Sequence, residues 1–152
     1  MKAVIQRVSH ASVAVDGEIV GACGAGLMIL LGVAEGDTEV DAELLCRKIV
    51  QLRIFCDEEG KMNRSLRDVD GEMLVISQFT LMANYRHGNR PDFMASAKPA
   101  EAERLYEYFK KLASAEIRRV ESGVFGAHMK VELLNDGPVT IVMDSEVLKK
   151  KK

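Results

Sequence analysis

The sequence predicts a single α+β domain: a large, mostly antiparallel sheet or partial β-barrel with two main helices packed on it. Three observations carry this. At 152 residues the chain fits one domain with a real core. Short apolar runs recur along it, separated by turn signals. Two longer stretches carry apolar residues at helical spacing behind residues suited to starting a helix. No linker, repeat or low-complexity segment interrupts them, so residues 1–148 read as the domain and lysines 149–152 as a tail.

Taken in order, residues 2–8 and 12–15 read as strand, with Val4, Val8, Val13 and Val15 prominent. Asp16-Gly17 is a strong hairpin turn, and residues 18–23 return as its partner. A third strand is expected at 27–33. Asp37 or Thr38 then caps a helix running to about Leu52, with Leu45, Ile49 and Leu52 on its apolar face. Residues 53–56 read as strand, ended by the turn Asp57-Glu58-Glu59-Gly60. Residues 73–79 form another apolar strand. Residues 82–97 are polar and irregular, a long loop of the kind that often carries function. Pro99 suits the first turn of a helix reaching about Ala113, whose buried face is Ala102, Leu105, Tyr106, Phe109 and Leu112. Strands follow at roughly 117–121, 129–134 and 139–143.

Composition narrows the function. Hydrophobic residues make up 47% and charged residues 29%, which is ordinary globular usage. Only 5% is aromatic and Trp is absent, so the core is aliphatic and Met-rich. No apolar run is long enough to span a bilayer. The opening MKAVIQRVSHASV enters a strand pattern without a signal-peptide core, so a cytoplasmic protein is expected. Cys23, Cys46 and Cys56 show no zinc spacing and no CxxC pair, and read as buried free thiols. The net charge of −2 argues against broad nucleic-acid binding, though not against a light touch on one RNA end. Lys149 to Lys152 read as a solvated terminus or a non-specific phosphate contact.

Conventional hydrolase chemistry needs a base beside a nucleophile. His10, His87 and His128 each stand alone, and GxSxG, HExxH and Walker patterns are absent. Two segments stand out instead. Ser77-Gln78-Phe79-Thr80-Leu81 ends an apolar strand, where backbone N–H groups become free or hydroxyls cap the strand end. Asn135-Asp136-Gly137-Pro138-Val139-Thr140 lies between two strands; it is either an ordinary turn or a cis-proline feature.

At these two segments the chain resembles the D-aminoacyl-tRNA deacylase family, whose signatures are SQFTL and NxGPVT. The likeness continues through Gln6-Arg7-Val8, Ala11-Ser12-Val13, Arg53-Ile54-Phe55, Gly60-Lys61-Met62-Asn63, Gly88-Asn89-Arg90-Pro91, the Pro99 helix and Phe125-Gly126-Ala127 before Met129. It spans nearly the whole chain in order. Asp92 departs from the small polar residue more usual there, and His87 and the lysine tail are particular to this sequence.

The resemblance implies a hydrolase that frees D-amino acids from tRNA and rejects L-aminoacyl-tRNA. It implies a homodimer in which Gly137-Pro138 of one subunit enters the other's active site, with Arg7 holding the dipeptide. Ser77, Gln78, Phe79 and Thr80 would act mainly through backbone donors, and Ala102, Phe125 and Met129 would receive the terminal adenosine. The implied partners are the acceptor end of tRNA, carrying a D-amino acid or glycine, and a second copy of the chain. No cofactor, metal, membrane or DNA is implied. Two rivals stay open: a small-ester hydrolase with Thr80 or Ser77 as nucleophile, and a non-catalytic RNA-end-binding module.

Overall fold

The computed structural model describes residues 1–150. Its strands are β1 (Lys2–Val15), β2 (Glu18–Cys23), β3 (Gly26–Gly32), β4 (Phe55–Cys56), β5 (Met62–Arg64), β6 (Glu72–Ser77), β7 (Val120–Ser122) and β8 (Lys130–Asp144). Helices α1 (Glu39–Gln51), α2 (Pro99–Glu116) and α3 (Ser145–Lys149) and a 3₁₀ turn at Phe79–Met82 complete it. None of these helices is long and apolar enough to cross a membrane.

β1 organises the main sheet. One of its edges pairs with β3 through Lys2–Val8 and with β2 through Ala11–Val15, while β8 runs along the other edge. Asp16 and Gly17 both take positive φ, 52° and 81°, as the expected tight hairpin turn requires. The long connections through α1 and α2 return parallel strands: β6 beside β3 and β7 beside β6. The sheet is therefore mixed. It curls until β2 meets β7, where Ala22 N–H donates to Glu121 Oε1 at 3.0 Å. A Cβ on Gly21 would lie 2.4 Å from the Ser122 carbonyl oxygen, so this approach needs glycine. The result is a partial barrel.

Alternation along the strands divides the apolar residues between two faces. Ile5, Leu27, Ile29, Leu31, Met73 and Val75 pack beneath α1 and α2, which contribute Leu45, Ile49, Leu105, Tyr106 and Phe109. Val8, Val13, Met28, Leu74 and Ile76 form a second cluster on the opposite face.

Several expectations shift. The strands read at 2–8 and 12–15 are one strand, and those at 129–134 and 139–143 join in β8. The 53–56 strand shrinks to Phe55–Cys56 in a separate two-stranded hairpin with β5. Cys56 is consequently exposed; Cys23 and Cys46 are buried, and burial pushes both thiols up to about 11. Thr38, not Asp37, is the helix N-cap. Lys149, read with the tail, ends α3 and pairs with Asp41 at 2.7 Å. Lys151 and Lys152, the rest of that tail, lie outside the described residues.

Lys149 joins a buried polar knot between the two ends of the described chain. The Met1 ammonium lies 2.7 Å from Asp37 and donates to Ser145 Oγ at 2.8 Å. Ser145 in turn donates to Asp41 at 2.6 Å, and Thr38 N–H donates to the other carboxylate oxygen at 2.9 Å. Burial alone would raise the Asp41 pKa. The donors from Lys149, Ser145 and Thr38 outweigh it and pull the carboxyl from 3.8 to about 2. The depressed value means this stabilisation is present above about pH 4 and is lost as pH falls through about 2. Asp41→Asn is therefore expected to cost about 2 kcal/mol near neutrality. Urea unfolding should show the gap to wild type closing towards pH 2; a gap constant over that range would remove Asp41 from this role.

Candidate functional site

Because β3 and β6 run parallel, their C-terminal ends open on one rim. Gln78 N–H makes the last sheet-like bond there, to Leu31 C=O at 2.8 Å. The chain then tightens into the 3₁₀ turn, whose leading N–H groups have no partner within the turn. Leu81 N–H reaches back to Gln78 C=O at 3.3 Å, but the Phe79 and Thr80 N–H groups meet no protein acceptor among the described residues. Phe79 and Thr80 are exposed, and Ser77 and Gln78 half-buried. The Gln78 amide donates to Thr80 Oγ1. Phe79 stands edge-on to Phe93, ring centroids 5.0 Å apart.

Phe125 and Met129 lie beyond β7, Phe125 packed on the cluster beneath the helices and Met129 on the second cluster. Gly123 N–H donates to Val75 C=O at 3.3 Å, which ties their loop to that strand. Tyr106 OH donates to the same carbonyl at 3.0 Å, and its ring lies 6.0 Å from Phe125. Burial pushes the Tyr106 phenol up to about 12. Phe125 and Met129 are half-buried, whereas Ala102 belongs to the core-facing side of α2. Helix α2 begins at the same rim, since Ala97 N–H donates to Val33 C=O at 3.0 Å, just past β3.

Gly137 and Pro138 lie elsewhere. Gln6 pairs with Thr140 and Val8 with Asn135, so Arg7 alone faces the looped-out residues Asp136–Val139. The Arg7 guanidinium donates through Nε to Asp136 C=O at 2.9 Å and through Nη1 to Ile54 C=O at 2.7 Å. Asn135 Nδ2 donates to both the Arg7 and Val139 carbonyls, at 3.0 and 2.9 Å. The Gly137–Pro138 bond is cis, and Gly137 has φ +138°. A Cβ there would sit 2.9 Å from Arg7 Nη2, so only glycine fits without displacing the guanidinium. Both Gly137 and Pro138 are exposed. The clamping roles of Asn135 and the Ile54 carbonyl were not legible in the sequence; Asn135 showed only as a motif letter.

The register separates the two segments. Ser77 pairs with Leu31 and Leu31 with Ala3, while Gly137 sits opposite Arg7, four residues further along β1. Four residues along and three strands across correspond to about 13 Å and about 14 Å. One chain thus holds Ser77–Thr80 at the rim, packs Phe125 and Met129 against opposite faces of the sheet, and leaves Gly137-Pro138 apart from the rim.

Among the described residues, no histidine hydrogen-bonds to Ser77 or Thr80, and no group of three His, Cys, Asp or Glu is placed to hold a metal. Two clefts lie away from the rim, one lined by Glu43, Cys46, Arg47, Leu112 and Glu116 and one by Asp57, Glu58, Glu59 and Arg64. What the rim offers is a pair of unsatisfied backbone donors beside an exposed aromatic ring.

Comparison with known proteins bears on this arrangement. A family model described as D-Tyr-tRNA(Tyr) deacylase matches residues 4–144. A D-aminoacyl-tRNA deacylase of Caldicellulosiruptor saccharolyticus is 58% identical over 146 residues, covering 96% of this chain and 98% of that protein. One from Ruegeria pomeroyi is 60% identical over 144 residues, covering 95% and 99%. Among solved structures, a "c-Myc DNA Unwinding Element Binding Protein" superposes with TM-score 0.90 at 44% identity, covering 95% of this chain and 98% of its own. A structure titled as a probable eukaryotic D-amino acid tRNA deacylase gives TM-score 0.79 at 16% identity, covering 93% and 97%, and shows a shared fold.

The Arg7 clamp makes a direct prediction. Arg7→Ala removes the donors to Asp136 and Ile54 carbonyls and should cost about 1–3 kcal/mol. Arg7→Lys should fall between, because an ammonium lacks the planar fork. Amide exchange should quicken at Asp136, Gly137 and Val139 in Arg7→Ala; unchanged exchange there would mean that the segment is held by other contacts.

Proposed function

This chain belongs to the D-Tyr-tRNA(Tyr) deacylase family, and on that premise we propose how its residues hydrolyse the ester of D-aminoacyl-tRNA. Water attacks the ester carbonyl, the oxygen gains negative charge, and collapse of the tetrahedral intermediate releases the ribose oxygen and a free amino acid. The Phe79 and Thr80 N–H groups hold the developing oxyanion. Their lack of a protein acceptor is the observation that carries this reading. Preorganised donors of this kind are worth roughly 3–4 kcal/mol each. An aminoacyl ester is already activated, so such help suffices without a side-chain base. The Thr80 hydroxyl accepts from the Gln78 amide and has no base bonded to it among the described residues, which disfavours a covalent nucleophile. The adjacent ribose hydroxyl assists water, which ties the reaction to RNA and excludes DNA ends.

Selection against L-amino acids falls to Gly137-Pro138 of a second copy. In the D and L forms, hydrogen and side chain exchange places on the α-carbon. A wall held against that carbon admits hydrogen and clashes with a side chain. The Arg7 and Asn135 bonds provide a firm mounting for such a wall. Its distance from the rim of its own chain, together with the exposure of Gly137 and Pro138, favours delivery in trans across a two-fold axis. Leu134 and Val142, 53% and 74% exposed on β8, supply apolar surface for that contact. Phe125, Met129 and Ala102 are the residues we assign to the terminal adenine, and the cytoplasm is where such a substrate is met.

The discriminating substrate is glycyl-tRNA. Glycine has hydrogen at both α positions, so a wall alone cannot refuse it, whereas a pocket built for D side chains would lose contacts with it. Release rates are expected to be high for D-tyrosyl-tRNA and glycyl-tRNA and negligible for L-alanyl-tRNA. Glycyl-tRNA as resistant as L-alanyl-tRNA would rule out the steric filter, and no release from D-tyrosyl-tRNA would overturn the reaction. Sedimentation at micromolar concentration should show only dimer; a fully active monomer would remove the cross-subunit arrangement.

A further inference from the structure

The loop between Asn84 and Asp92 carries chemistry that the deacylase reading leaves unused. These two residues form an isolated antiparallel bridge, bonded in both directions at 2.8 and 3.0 Å. Asn84 Nδ2 also donates to the Asp92 carboxylate at 3.1 Å, and Asn84 Oδ1 accepts from Arg86 N–H at 3.2 Å. The bridge closes residues 85–91 into a compact loop. Gly88, at its middle, takes φ +68° with open space around it, the left-handed conformation that reverses the chain.

The loop tip is cationic and aromatic. Arg86 and Arg90 flank Gly88 at two residues on either side, with His87 before Gly88 and Asn89 after it, and all are exposed. Among the described residues neither arginine pairs with a carboxylate, whereas Arg67, Arg104, Arg118 and Arg119 all do. The loop's own carboxylate, Asp92, is occupied by the Asn84 amide and by Met94 N–H at 3.2 Å. Tyr85 is 81% exposed. In a chain of net charge −2, two free guanidinium groups and an open aromatic ring are thus gathered in one short loop.

The foot of the loop is fixed to the rim that holds the Phe79 and Thr80 N–H groups. Phe93 packs edge-on to Phe79, Glu35 N–H donates to Ala95 C=O at 2.9 Å, and Ser96 bridges Ala34. The loop is therefore anchored beside the place where the ester would lie.

We propose that the loop Tyr85–Pro91 is a subsite for the single-stranded 3′ end of the tRNA substrate. Arg86 and Arg90 hold backbone phosphates upstream of the terminal nucleoside, and Tyr85 stacks on a base. Guanidinium forks match phosphate oxygens, and arginine interleaved with an exposed aromatic ring suits single strands without reading their sequence. The inference rests on the deacylase reading and adds where the rest of the substrate runs.

The test uses the intact protein and two substrates: D-tyrosyl-tRNA, and D-tyrosyl-adenosine, which has no upstream phosphate. The Arg86→Ala/Arg90→Ala variant is expected to raise KM for D-tyrosyl-tRNA about tenfold or more at low salt, with kcat kept. The log–log salt dependence of kcat/KM should flatten by about 1.4, which is 0.7 for each lost phosphate contact. Tyr85→Ala should raise the same KM about fivefold or more at every salt concentration, because stacking is not ionic. The preference for D-tyrosyl-tRNA over D-tyrosyl-adenosine should fall in both variants. An unchanged salt slope with unchanged KM, or an equal loss on both substrates, overturns the subsite. Wild-type protein inactive on both substrates overturns the deacylase reading itself, so the two failures are distinguishable.

Discussion

Arg7 stands in the middle of β1, and the path of β8 turns on it. On one side of that position Gln6 pairs with Thr140; on the other, Val8 pairs with Asn135. Four residues of β8 must be accommodated opposite one residue of β1. The guanidinium resolves this by binding the Asp136 carbonyl on the excursion and the Ile54 carbonyl beyond α1, while Asn135 stitches the two ends of the excursion to the Arg7 carbonyl. A regular ladder here would have buried Gly137 and Pro138 in strand pairing. Instead they are presented to solvent on a firm base, and the same residue ties that base to the end of the α1 connection. The long β1–β8 pairing and the exposed dipeptide are two consequences of one side chain.

The other half of the site follows from chain direction. β3 and β6 are parallel because a helix lies between them in sequence, and parallel strands end together. At that shared end the ladder stops at Gln78, and the 3₁₀ turn supplies N–H groups that the sheet no longer uses. Gly32 permits the turn to sit close, since a Cβ there would lie 2.8 Å from the Gln78 carbonyl oxygen. Donors made this way cost no side chain and no proton transfer. They also cannot move far, which is what oxyanion stabilisation requires. In the proposed mechanism such donors account for a hydrolase whose sequence lacks a nucleophile–base pair.

Much of this was legible in the sequence where a local signal has one structural meaning. Asp16-Gly17 demanded a tight hairpin, and Asp37-Thr38 and Pro99 marked where helices begin. The run Met73–Ile76 was legible as a buried strand but not as a parallel one, because strands buried on both faces look alike whatever their partner's direction. Asp136-Gly137-Pro138 read as a turn between two strands, since a four-residue excursion within one strand uses the same residues. Arg53–Cys56 misled for a different reason: Phe55 packs on the core, yet its two-residue strand belongs to a peripheral hairpin and leaves Cys56 in solvent. The SQFTL segment was visible from its mixture of apolar strand and polar end. That its donors lie far from Gly137-Pro138 of the same chain was not, because the distance is set by the registers of three strand pairings.

The charge balance raises a final question, how a slightly acidic chain handles a polyanion. The formal charge of −2 averages over groups that are largely occupied with one another. Arg104 is held by Glu39 and Glu101, Arg119 by Glu72 and Glu121, and Arg67 by Glu116. Such pairs present little net field beyond a Debye length of about 8–10 Å. What the proposed subsite would present is its local composition, and among the described residues Arg86 and Arg90 pair with no carboxylate while Asp92 is hydrogen-bonded. A few phosphate contacts beside the ester give orientation, whereas a basic surface over the whole protein would hold tRNA regardless of what it carried. An enzyme that must inspect many tRNAs and release most of them is better served by the first arrangement. Local cations in a near-neutral chain therefore fit a reaction that reads the α-carbon and not the nucleic acid.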